Sequence, residues 1–133
     1  MLGEAYFGSC NDNMCNTKII LDTDIFRDIK YGMEVMVHEY GHIFNSLIRN
    51  KQNNNFDARK YMISSLANGT KINNKSYQKL LSYGIVRSWY RRTSYIDLFP
   101  EAFGRWIMTP EQNRDLGWEK LDKFFRIDLL KLL

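Results

Sequence analysis

The feature that most constrains this chain is a helical spacing of apolar side chains wrapped around two histidines. Met33, Val37, Tyr40, Phe44 and Leu47 recur at intervals of three and four, the pattern of one buried helix face. The spacing predicts a helix over 28–50. Within it lies His38-Glu39-Tyr40-Gly41-His42, an H-E-x-x-H pattern that contains both histidines of the chain. Side chains at i and i+4 project from one side of a helix. Two neutral imidazoles so placed suit a zinc ion. Glu39, next to them, suits a general base that takes a proton from metal-bound water. Glycine inside a helix costs about 1 kcal/mol relative to alanine. Gly41 therefore predicts that another backbone or a substrate comes close. Val37 and Tyr40 are expected to face the core.

The chain has 133 residues, 44% hydrophobic and 26% charged. That suits a single domain over 1–133 with one core. The net charge is +4, with lysines and arginines spread along the chain as solvated faces, so no nucleic-acid partner is expected. No run of 18 apolar residues exists, so no transmembrane helix and no membrane partner are expected. Residues 1–10 lack the basic and apolar regions of a signal peptide. Cys10 and Cys15 either close a small disulfide loop or are free thiols in a turn. Two cysteines alone do not complete a zinc site. Asn68-Gly69-Thr70 fits both a glycosylation acceptor and a tight turn.

Around the helix, residues 4–7 and 17–25 predict strands, clearest in Lys18-Ile19-Ile20-Leu21, with a turn over 8–16. Polar stretches at 49–55 and 68–75 read as surface loops. Further helices are predicted over 57–67, 75–83 and 97–108. Thr109-Pro110-Glu111-Gln112 resembles a helix start, with Thr109 as cap. A last amphipathic helix over 118–132 buries Leu121, Phe124, Phe125, Leu129 and Leu132. The outline is α+β: a small sheet, a long helix behind it and a helical second half.

A catalytic zinc takes a third protein ligand. With no further histidine, a carboxylate is the candidate. Asp97 and Glu101 stand four apart and would share a helix face. The stretch Tyr90 to Phe103, taken with H-E-x-x-H, resembles the lethal-factor-like family of zincin metallopeptidases, which includes toxin proteases and Pro-Pro endopeptidases. That family carries Glu-x-x-x-Glu-Ala-Phe downstream of H-E-x-x-H, with a tyrosine seven residues before the first Glu. Here Asp97 falls at the first Glu, Glu101 at the second, and Ala102-Phe103 match directly. Tyr90 falls at the tyrosine position, and Tyr95 competes with it.

The resemblance implies a minimal zincin-like domain that uses Zn2+ to hydrolyse peptide bonds in a peptide or protein substrate. His38 and His42 would hold the metal with Asp97 as favoured third ligand. Glu101 would support the site or replace Asp97 as ligand. Glu39 would be the base, and Tyr90 would donate to the oxyanion. Asp97 departs from the pattern by one methylene, and Pro100 sets a helix start near it, so Asp97 also fits a helix cap. Secretion and a toxin role are further expectations from the resemblance. The chain is expected to be either a minimal zincin or the catalytic end of a longer protein. The alternatives are an intracellular regulatory zincin acting on one partner, and an inactive, zinc-stabilised interaction module.

Overall fold

The computed structural model describes residues 3–11, 14–52, 57–66 and 98–132. The helix predicted over 75–83, the aromatic stretch around Tyr90 and the residue Asp97 lie outside the described residues.

Strands β1 (Gly3–Asn11) and β2 (Met14–Leu21) form an antiparallel two-stranded sheet. Their register runs from Gly3 opposite Leu21 to Asn11 opposite Met14. The predicted turn over 8–16 is thus mostly strand. Gly8 explains the discrepancy: a side chain there would come within 3.0 Å of the Asn16 carbonyl oxygen. What read as a turn residue permits a close cross-strand approach. The register is interrupted between Phe7 and Cys10.

Side chains alternate across a sheet. Gly3 faces the long helix, and its missing Cβ would lie 3.1 Å from both Val35 and Glu39. Tyr6 and Ile20 lie on the opposite, exposed face. There the Tyr6 hydroxyl donates to Glu4 at 2.6 Å, and Lys18 stands over the Tyr6 ring.

Helix α1 (Ile29–Lys51) agrees with the predicted span to within a residue at each end. Asp28 caps it, accepting from the Tyr31 amide, the usual role of Asp at that position. Helix α2 (Ala58–Leu66), helix α3 (Leu98–Met108) and helix α4 (Leu116–Lys123) follow among the described residues. Pro100 falls in the first turn of α3, where its missing N–H is not needed.

The core joins all four helices. Ile48, Met62, Phe99, Ala102, Leu121, Phe124 and Leu129 are fully buried. Trp106 stacks on Phe125 with ring centroids 4.8 Å apart, and Phe103 meets Phe125 edge-on. The Trp106 indole also donates to Asp122 at 3.0 Å, which gives its polar atom a partner.

Two expectations about the second half are corrected. Thr109 is not a cap, because its hydroxyl donates backward to the Arg105 carbonyl. The cap of the next α-helix is Asp115, which accepts from the Trp118 amide at 2.9 Å. The last helix is not continuous: after Lys123 the chain adopts a π-helical stretch, Phe124–Asp128, and then a short 3-10 turn. The Leu129 amide donates to the Phe124 carbonyl, five residues back. The wider turn still buries Phe124, Phe125 and Leu129, so the apolar pattern is met by an altered pitch.

Gly41 lies where α1 crosses α3. A Cβ at this position would stand 2.7 Å from Pro100 Cα and 3.0 Å from Pro100 Cβ. The glycine in the motif therefore has a packing reason: the backbone of α3. Gly41→Ala is expected to destabilise the fold. Its helix-propensity gain of about 1 kcal/mol competes with an overpacking cost of about 1–3 kcal/mol, and the contact with Pro100 is backbone that cannot rotate away. Thermal melts should show a lower midpoint for Gly41→Ala, while alanine at the exposed position Asn50 leaves it nearly unchanged.

Candidate functional site

The close crossing of α1 and α3 brings the motif side chains next to Glu101. His38 Nδ1 lies 3.6 Å from Glu101 Oε2, with both side chains mostly buried. The imidazoles of His38 and His42 meet edge to face, with centroids 5.0 Å apart. This is the i, i+4 neighbour relation expected from the sequence. Glu39 is buried at 7% exposure and lies under the start of β1, its carboxylate oxygen 3.3 Å from where a Gly3 Cβ would stand. His38, its neighbour His42 and Glu101 are therefore brought to one crossing, with Glu39 alongside under the hairpin. Asp97 and Tyr90 lie outside the described residues.

The zinc expectation does not survive this geometry. A zinc site needs at least three converging donor side chains. Among the described residues, no group of three or more His, Cys, Asp or Glu side chains is arranged so that it could hold a metal ion. The arrangement instead pairs the His38 imidazole with the Glu101 carboxylate across two helices, and shelters Glu39 beneath the hairpin. The cysteines are also committed elsewhere, since Cys10 and Cys15 form a disulfide across the strands.

The chain was compared with protein-family models, curated proteins and solved structures, and no match was found in any of the three. The two findings together overturn the lethal-factor-like assignment, the bound Zn2+, the zinc-dependent endopeptidase activity and the toxin role drawn from the resemblance. The zinc-based alternatives, a regulatory zincin and a zinc-stabilised module, fall with them. What stands of the fold class is the coarser statement: an α+β domain with a small sheet packed against helices. Among the described residues, no helix is long and apolar enough to cross a membrane.

The sequence reading missed a second feature of α1. Tyr40, expected to face the core, is 53% exposed. Ile29, Met33 and Met36 are exposed with it. Their spacing of four, three and four residues places all four on one stripe, which continues into the half-buried Ile43 and Leu47. At 100° per residue His38 lies about half a turn away from this stripe. The signal was present in the sequence as a second apolar line. It was merged with the neighbouring line through Val37, Phe44 and Ile48, of which Ile48 is fully buried and Phe44 packs on Phe99 and Phe103.

The His38–Glu101 pair is expected to couple α1 to α3 energetically. A double-mutant cycle on His38→Ala and Glu101→Ala should give a coupling of about 0.5–3 kcal/mol, the range for side chains in direct contact. Strictly additive effects on denaturant midpoints would show that the two side chains act independently.

Proposed function

We propose that this chain is a protein-interaction module that presents the outer stripe of α1 to an amphipathic helix of a partner protein. The observation that carries this reading is the exposed line of Ile29, Met33, Met36 and Tyr40. Four large apolar side chains in a row on one exposed helix face mark an interaction surface. Their 4-3-4 spacing is that of a helix–helix seam, and the two methionines adapt readily to a facing surface.

The exposed lysines near the two ends of the stripe suit a partner helix with acidic flanks. Lys30 is exposed near one end of α1, and Arg49 and Lys51 are exposed at the other. The first turn of α1 has no acidic residue. Parallel pairing of two copies sets Lys30 against Lys30 and Lys51 against Lys51, whereas antiparallel pairing brings Lys51 to the end that carries Asp24, Asp28 and Lys30. A helix bearing acidic residues at its ends meets the lysines with opposite charge.

In this reading the polar residues His38, Glu39, His42 and Glu101 are positioning groups. They tie α1 to α3 and to the hairpin, and so fix the direction in which the stripe points. Asp97 and Tyr90 have no assigned part in it.

Selection from a displayed library of amphipathic helical peptides tests the proposal. It should enrich helices with acidic flanks, and Met33→Asp with Met36→Asp in one protein should weaken their binding at least tenfold. Two substitutions on the exposed hairpin face, Tyr6→Ala and Ile20→Ala, should leave binding unchanged. Enrichment of nothing above background, or of peptides indifferent to the α1 variant, would count against the module. Concentration-dependent dimerisation that the α1 variant abolishes would replace the partner with a second copy.

A further inference from the structure

The disulfide sits where the hairpin has least other support. At its open end, β1 is held by packing, with Gly3 against Val35 and Glu39 of α1. Beyond the interruption between Phe7 and Cys10 the situation changes. Gly8, Ser9, Asn16 and Thr17 are exposed. Cys10 stands opposite Cys15, and their sulfurs are bonded. A two-stranded ribbon without a packed face is marginal in water. The covalent bond therefore supplies the cross-strand contact at this end that apolar packing supplies at the other. Cys10 and Cys15 are half-buried, with the exposed Ser9 before one and the exposed Asn16 after the other, so a small reagent can reach the bond.

We infer that Cys10–Cys15 is a thiol–disulfide exchange site whose redox state decides whether the distal half of the hairpin, residues 8–11 and 14–16, is paired. The reactant class is a small dithiol. Its thiolate attacks one sulfur of the bond and forms a mixed disulfide, releasing the other cysteine as thiolate, which takes a proton. The second thiol of the reagent then displaces the first cysteine. The reagent leaves as its own disulfide, and the protein gains two electrons and two protons as two thiols. No other cysteine exists to compete for either partner. The proximal half of the hairpin keeps its packing on α1 throughout. This inference is independent of the α1 stripe.

Amide hydrogen exchange on the whole chain, with and without dithiothreitol, tests it. Thiol titration should give no free thiol before treatment and two after. Reduction should accelerate exchange of the cross-strand amides in 8–11 and 14–16 at least tenfold. Amides in 17–21 and in α1 should keep their rates. The Cys10→Ser, Cys15→Ser protein should show the faster pattern without reagent and no response to it. Free thiols in the untreated protein would overturn the inference, as would distal rates unmoved by reduction. Acceleration throughout the domain would also overturn it, because the bond would then hold up the whole fold.

Discussion

The approach of Gly41 to Pro100 is the contact on which the rest of the structure depends. Two helix backbones come together there with no Cβ on the Gly41 side. That closeness brings Phe44 onto Phe99 and Phe103 on one side of α1. It brings His38 to Glu101 nearby. It also leaves a third side of α1 turned outward, carrying Ile29, Met33, Met36 and Tyr40. A single helix thus serves three environments: an aromatic core, a polar crossing and an open apolar line. The hairpin occupies a further part of its surface, over Val35 and Glu39.

Much of this was legible in the sequence for definite reasons. The periodicity of α1 fixed its existence and nearly its ends, and Gly41 announced a close approach before its partner was known. Leu121, Phe124, Phe125 and Leu129 were rightly placed in the core and Leu132 packs against it half-buried, although the helix carrying them changes pitch at Phe124. The hairpin was half legible: Lys18 to Leu21 read as strand, but Gly8 disguised the continuation of β1. The stripe on α1 escaped notice because two apolar lines lie side by side on the same helix. Periodicity alone does not say which of two such lines faces a neighbour.

The functional reading failed at a particular step. Spacing along one helix shows which side chains share a face; it does not show how many donors from other elements converge on them. His38 and His42 are neighbours as the spacing required. Glu101 does reach the same crossing. The requirement for three converging donors is nevertheless unmet among the described residues. H-E-x-x-H is a short pattern that occurs in unrelated chains, and its meaning depends on context outside the motif.

Among the described residues, packing and direct pairing hold the crossing at His38, His42 and Glu101, with no metal-binding group there. Metal content of the protein purified without chelator, measured together with its thermal midpoint before and after EDTA, shows whether packing and pairing suffice. Far less than one equivalent of zinc per chain and the same midpoint in both states are expected. One full equivalent of zinc that is lost in His38→Ala, with a midpoint that falls on chelation, would contradict a crossing held by packing and pairing alone.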